Sequence, residues 1–573
     1  MLNPYAKIFA AAFGAALLSG CAAMPAANSA TSVESHEPVT IQIIGINDFH
    51  GNLEPLGRPS TIKHGDGSDE KVQVGGAAAL SALISDTRAT NPYSMIISAG
   101  DMISASPLVS SLFLDEPSIT AMSRIGVDFN AVGNHEFDRG WRELKRMQDG
   151  GCAKLALREP CQVEEFKGAS FKFLAANVTF GKSGETLFPA SGIRRFETPS
   201  GEVTVGVIGL TLKDTPTLVT PSGVDDLVFS EEATAINAQI PALIEQGADA
   251  LVVAIHQGLY SDLPYDAPGC EGINGPLLDI LAQVDPRVDL VITGHTHQFY
   301  ICDYSTIDPS RKLLVTSAGY GGSFITDIAL TIDPAKSDVV AAKAHNILVR
   351  ADGSTIGKLD AAMGAYVSIY AEAARDAGER IVGHLSAGSG KPSSTEESSF
   401  GNLIADAQLA ATSDAGAQIA FMNPSGIRAG ITPADDGSVS FGDIYAAQPF
   451  GNTLVTKSFT GTQLLALLEQ QFDDQGFVQL FAASHGFAMR FDMSRPIGSR
   501  VISASLDGVP IAPATIYRVT MNSFLAAGGD SFTVFTDGTD PATGPLDLDA
   551  MEIFFAGKDK VEMPATGRMN PLD

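Results

Sequence analysis

The stretch Thr40-Ile41-Gln42-Ile43-Ile44-Gly45-Ile46-Asn47-Asp48-Phe49-His50 decides the fold. Its first part is nearly all apolar and reads as a strand buried on both faces. It then ends on a carboxylate and an imidazole two residues apart. The same event recurs down the first half of the chain. Strands expected at 94–98, 129–132, 248–255 and 288–293 run out into Asp101, into Asn134 and His135, into His256, and into His295 and His297. Further strands are expected at 203–210 and 312–316, with helices at 76–87 and 231–245 between them. This is α/β layering, a sheet covered by helices. Loops leaving the carboxyl ends of such strands converge on one edge, so ligands far apart in sequence can meet there.

Oxygen and nitrogen donors of this kind hold divalent cations, and their number is enough for two ions in one site. Taken singly, an Asp-x-His after a strand is often only a turn with a helix cap. Gly133-Asn134-His135-Glu136 is more pointed, because delivering an imidazole from a buried strand through a Gly-Asn turn serves packing poorly. In Gly294-His295-Thr296-His297 the two imidazoles are expected on one side of an extended segment, since side chains at i and i+2 share a face.

A chain of 573 residues exceeds a single core and suits two domains with a targeting segment. Its 45% hydrophobic content supports buried cores, and the net charge of −29 without any Lys/Arg run argues against nucleic-acid polymers as partners, since a polyanion is repelled unless a local basic groove intervenes. An anionic substrate must then be drawn in by bound metal and a few placed arginines.

Residues 1–20 read as an export leader: Lys7, an apolar run too short to span a bilayer, then Leu18-Ser19-Gly20-Cys21. The pattern resembles a bacterial lipobox, which implies cleavage before Cys21, lipidation of its thiol and a periplasm-facing anchor. Ala22 in place of an aspartate favours the outer membrane, and 21–38 is a tether of small and polar residues. The remaining four cysteines suit an oxidising compartment. Three pairings exist, and Cys152–Cys161 with Cys270–Cys302 is favoured because each closes a short loop within one region.

Leu359, Met363, Tyr366, Tyr370 and Ala374 recur at helical spacing, so one amphipathic helix is expected over 355–378. It lies in a linker at 346–380, between a first domain at 39–345 and a second at 381–573. In the second, helices are expected at 401–412 and 461–471, and strands at 418–422, 453–458, 501–506 and 516–521.

The five clusters, in the order DxH, GD, GNHE, H and GHxH, resemble the calcineurin-like metallophosphoesterases over roughly residues 40 to 330. The resemblance implies a four-layer β-sandwich flanked by helices. It implies one ion held by Asp48, His50 and His297, a second by Asn134, His256 and His295, and Asp101 bridging both. Two such ions, about 3.5–4 Å apart, would polarise phosphoryl oxygens and acidify the water that attacks phosphorus in line. His135 is then not a ligand but a catalytic residue paired with Asp138, acting on the transferring phosphoryl group or the leaving oxygen. Donors without thiolate fit Zn, Mn, Fe or Co.

In the second domain, Asn423-Pro424-Ser425-Gly426-Ile427-Arg428, Gln448-Pro449-Phe450-Gly451-Asn452, Asn522-Ser523-Phe524 and Gly528-Gly529-Asp530 resemble the α+β nucleotide-recognition domain of bacterial periplasmic 5′-nucleotidases and UDP-sugar hydrolases. By that resemblance Phe450 and Phe524 sandwich the base, Asp530 binds ribose hydroxyls, and Asn423 and Arg428 make polar contacts. Two aromatic faces stack on any base, which predicts broad base tolerance. One departure stands out. Where the family carries further arginines before the Gly-Asn-Leu helix, this chain has only Lys391, a compact charge without a bidentate fork.

The expected activity is removal of the 5′-phosphate from extracytoplasmic nucleotides, with the linker helix as a hinge. UDP-sugar and 2′,3′-cyclic nucleotide hydrolysis need the same metals. A nucleotide-binding lipoprotein without catalysis would have no use for His135 and Asp138.

Overall fold

The computed structural model describes residues 37–572 apart from 58, 157, 355, 356 and 473–477. The leader at 1–20, the lipidation site Cys21 and all but the end of the tether therefore lie outside the described residues.

The first half builds two six-stranded sheets, not one. In the first, Val39–Ile46 runs parallel to Ser94–Ser98, which is followed by Phe129–Ala131 and Lys172–Leu174, while Phe324–Asp333 and Asp338–Leu348 close the other side antiparallel. In the second, Ala250–His256 lies parallel between Gly201–Thr211 and Leu290–Thr293, with Leu314–Ala318 beyond. Alternation along each strand explains the layering. Ile41, Ile43, Met95 and Ile97 of the first sheet meet Val205, Val207, Val252 and Ile292 of the second in a shared core. The neighbours Ile44 and Ile96 point outward against Leu80, Ile84, Ile119 and Met122 of covering helices. On the far side Ile208, Val253 and Val291 pack on Ile236, Ile240 and Leu243 of the helix Glu232–Glu245. The result is four layers, helix, sheet, sheet, helix. Strands apolar on both faces look alike whether the second face meets helices or another sheet, which is why the run of residues could not separate these cases.

The helix expected over 355–378 occupies Ala361–Glu379. Asp360 caps it, its side chain accepting from the N–H groups of Ala362 and Met363 at 2.9 and 3.1 Å. The cap leaves Leu359 outside and half exposed, while Met363, Tyr366, Tyr370 and Ala374 bury against the first lobe. Residues 355 and 356, where the helix was expected to begin, are outside the described residues.

The second half is α+β. A five-stranded sheet holds Ile419–Met422, Ile516–Asn522 and Thr453–Thr460 at its centre, and a smaller sheet holds Phe487–Phe491 and Val501–Leu506. The helix Ser399–Ala411 starts at Ser398, whose hydroxyl accepts from Gly401 N. Gly461–Gln470 starts in a capping box between Thr460 and Gln463. Both disulfides, Cys152–Cys161 and Cys270–Cys302, are formed.

Candidate metal centre and adjoining cavity

The carboxyl ends of the parallel strands in both sheets face the same side, so the clusters expected on one sheet edge come from two. Asp48, His50, Asp101, Asn134 and His135 leave the first sheet; His256, His295 and His297 leave the second. Their donor atoms converge. His50 Nε2 lies 3.3 Å from His297 Nε2, 3.9 Å from Asp48 Oδ1 and 3.5 Å from Asp101 Oδ2. His297 Nε2 is 3.5 Å from Asp48 Oδ1, and His256 Nε2 is 3.0 Å from Asp101 Oδ2. His295 Nδ1 lies 3.0 Å from Asn134 Oδ1. Such separations suit donors sharing an ion at bonds of about 2.0–2.2 Å.

The ring tautomers suit the same purpose. His50 Nδ1 donates to Ser104 O at 2.9 Å and His256 Nδ1 to Ala99 O at 2.8 Å, which leaves Nε2 of each ring as the atom turned toward the centre. His256 Nε2 is fully buried and, 3.0 Å from Asp101 Oδ2, makes no well-directed hydrogen bond among the described residues. Burial holds His50 and His295 down to about 3, so both imidazoles are neutral. Against the opposing pull of burial, Asp101 and then Asp48 lift His256 to about 10. An orphaned ring nitrogen among buried carboxylates is a donor set that a divalent cation fits.

The backbone here is strained. Asp48, His50, Asp101, His295 and His297 all have φ between 45° and 72°. Left-handed conformations are uncommon outside glycine and cluster at functional sites. His295 and His297 therefore do not share a face as residues of an extended strand; each is aimed inward by its own left-handed turn. Gly133 is fixed for a steric reason, since a Cβ there would sit 2.1 Å from Asp101 Oδ1.

Asn47 and Glu136 hold the loops that carry the ligands, and His135 lies beside Asp138. Asn47 donates to Asp48 Oδ2 at 2.7 Å and to Gly319 O at 2.7 Å. Glu136 accepts from Asp101 N, Met102 N and Gly133 N at 2.8–2.9 Å, bolting the loop after one strand to the loop after the next. His135 Nδ1 is 2.8 Å from Asp138 Oδ2. Burial disfavours its charged form, yet Asp138 and Asp101 override this and raise its pKa. Asn47 and Glu136 stood inside the quoted motifs; only their contacts reveal what they hold.

Beside the centre lies a cavity of about 500 Å³ with walls from both lobes. Asn134, His135, Asp138 and His295 line it from the first lobe, and Asn423, Arg428, Phe450, Phe524 and Asp530 from the second. Asp48, His50, Asp101, His256 and His297 are not among its lining residues. The ring of Phe450 stacks over His135, centroids 5.8 Å apart and 14° from parallel, so the lobes meet at the site itself. Arg428 stands 5.9 Å from the Phe450 centroid. Phe524 lies flat against Gly529, where a Cβ would enter the ring at 2.4 Å. Asp530 accepts from Asn423 Nδ2 at 2.8 Å and from Ser425 Oγ. Lys391 also lines the cavity, and so does Arg139, which reaches Asp115 at 2.7 Å. Arg139, Leu218 and Gln479 came from no motif, because loops and single-turn helices carry no periodic signal.

The calcineurin-like phosphoesterase family matches residues 41–299, and the 5′-nucleotidase, C-terminal domain family matches 374–537. Endonuclease YhcR of Bacillus subtilis (strain 168) is 30% identical over 91% of this chain and 40% of its own length. Cell wall protein Lmo0130 of Listeria monocytogenes serovar 1/2a is 28% identical over 88% of this chain and 65% of its own. The chain thus spans less than two thirds of each of these relatives. The crystal structure of a 5′-nucleotidase precursor from Thermus thermophilus superposes with a TM-score of 0.74 at 25% identity, covering 93% of this chain and all of that one. With one lobe matched to each family and the whole to a single solved chain, the protein belongs to the calcineurin-like phosphoesterases that carry a 5′-nucleotidase C-terminal domain.

Proposed function

We propose that the protein is a metal-dependent phosphohydrolase that removes the 5′-phosphate from nucleotides outside the cytoplasm. One observation carries this reading: a single cavity is lined both by Asn134, His135 and His295 beside the metal centre and by Phe450 and Phe524 of the second lobe. A molecule with a phosphate and a flat base spans such a cavity.

In this reading Asp48, His50 and His297 hold one divalent ion, Asn134, His256 and His295 a second, and Asp101 both. The ions supply charge neutralisation at the phosphoryl oxygens and an acidified water. Asp138 holds the His135 ring so that its Nε2 faces the phosphoryl group and can stabilise charge there or protonate the leaving oxygen. Arg428 and Lys391 attract the anionic end, which offsets part of the missing arginine charge. Phe450 and Phe524 stack on the base, Asp530 and Asn423 hold the sugar, and the lobes must part to admit substrate, turning about the linker helix at 346–380. The division at 39–345 and 381–573 belongs to the same proposal.

Phe524→Ala tests the nucleotide end. Stacking contributes about 1–3 kcal/mol per base, so KM for AMP should rise about tenfold or more. Bis(p-nitrophenyl) phosphate, which has no base, should be hydrolysed as by the unaltered protein. Equal losses on both substrates would contradict the assignment.

Export and anchoring at Cys21 complete the proposal. The leader-like sequence motivates it, and the relative named a cell wall protein is consistent with an extracytoplasmic place. Cys21→Ala expressed in a diderm bacterium should lose incorporated fatty acid and leave the membrane fraction; retained lipid would refute it.

A further inference from the structure

His50 and His256 fix their rings in the same way, each by donating Nδ1–H to a backbone carbonyl, yet the two carbonyls are held differently. Ala99 O, which receives His256, follows directly on the strand Ser94–Ser98, and Ala99 N bonds to Ile46 O of the neighbouring strand. Ser104 O, which receives His50, lies in a loop where Ser104 and Ala105 have φ of 63° and 48°. Residues other than glycine stay in that region only when their surroundings hold them there.

What holds this loop is a buried carboxylate and its arginine. Asp115 is wholly buried and is itself left-handed, with φ 64°. Its side chain accepts from Ser104 N at 3.2 Å, from Ser110 Oγ at 2.6 Å and from Arg139 Nη1 at 2.7 Å. Arg139 Nη1 also lies 3.4 Å from Ser104 Oγ, so the guanidinium spans the carboxylate and the loop. Ser106 Oγ donates to the same Ser104 carbonyl at 3.2 Å. A chain of contacts thus runs from Arg139, a residue of the cavity wall, through Asp115 and Ser104 to the ring of His50. Among the described residues, neither the Asp115 nor the Arg139 side chain bonds to Asn134, His256 or His295.

We propose that Asp115 and Arg139 are positioning residues that aim His50 through Ser104, and so set the affinity of the ion held by Asp48, His50 and His297 without acting on the second. The inference rests on the two-ion reading of the centre. Groups that orient a ligating imidazole are worth about 10–100-fold in metal affinity.

The test titrates the metal-stripped full chain with Zn²⁺ against a chelator of known affinity, which resolves the two binding steps. His297→Ala lacks a ligand of the first ion alone and marks which step belongs to it. Arg139→Gln and Asp115→Asn should each weaken that step about 10–100-fold and leave the other as in the unaltered protein. A merely loosened fold would weaken both steps alike, and that result overturns the inference. So does unchanged binding of both ions by both variants, or weakening confined to the step that His297→Ala spares. Arg139→Gln leaves a buried carboxylate without its cation and can fail to fold. Asp115→Asn keeps the side-chain size and strands no buried charge, since Arg139 is 22% exposed, so it decides alone in that case. An unaltered protein that takes up no Zn²⁺ would strike the metal reading itself, whereas variants that bind both ions normally strike only the positioning role.

Discussion

Asp101→Ala should strip the protein of its metal and lower phosphate release from AMP by 10³-fold or more, on the order of several kcal/mol of transition-state stabilisation. The size of the effect follows from where the carboxylate stands. Oδ2 lies within 3.5 Å of His50 Nε2 on one side and 3.0 Å of His256 Nε2 on the other, while Oδ1 accepts from His135 N at 2.9 Å. One side chain therefore serves both halves of the centre and also positions the loop carrying the proposed acid. Alanine would also fit poorly at φ 52°, a conformation that Asp and Asn tolerate better. Asp101→Asn separates the causes, because it keeps the backbone preference and removes the charge. Elemental analysis should find it depleted in metal although its melting temperature stays near that of the parent protein stripped by chelator. Two ions per chain retained in either variant would refute the bridging role.

His135→Ala should lower kcat for AMP by about 10²–10⁴-fold and leave metal content unchanged. The ring lies close to the ligands but is committed elsewhere: Nδ1 is engaged by Asp138 at 2.8 Å, and the backbone N–H is engaged by Asp101. A residue oriented in this way can act on substrate without holding an ion. Asp138→Asn should cost less than removal of the ring, since an amide still contacts Nδ1 but no longer favours the protonated imidazole. Elemental analysis and single-turnover phosphate release on the same samples distinguish a catalytic loss from a metal loss. Full turnover of His135→Ala with two ions bound would exclude the role.

The donor residues of the centre were legible because each closes a strand that is itself legible, and the strand end supplies the placement. What the apolar runs could not carry was the count of sheets: Ile43 faces a second sheet and Ile44 faces helices, yet both are simply buried isoleucines. The turn at His295 and His297 was misjudged for a related reason. An extended segment and two left-handed residues can deliver the same pair of imidazoles, and only the φ values tell them apart. The start of the linker helix moved because Asp360 caps it, a local hydrogen bond that outranks the hydrophobic period at Leu359. In the second lobe, the Gly-Gly-Asp and Gln-Pro-Phe contexts marked Phe524 and Phe450. Arg139 was hidden beside Asp138, although it brings to the cavity a guanidinium that the second lobe lacks at Lys391.

If the metal centre and the aromatic pair form one nucleotide site, AMP turnover depends on divalent metal. Phosphate release from AMP, measured before chelation, after chelation and after divalent metal is restored, tests it most directly. Robust release, its loss on chelation and its recovery with metal are expected. Release that survives complete metal removal, or hydrolysis confined to simple phosphate esters with AMP untouched, would contradict it.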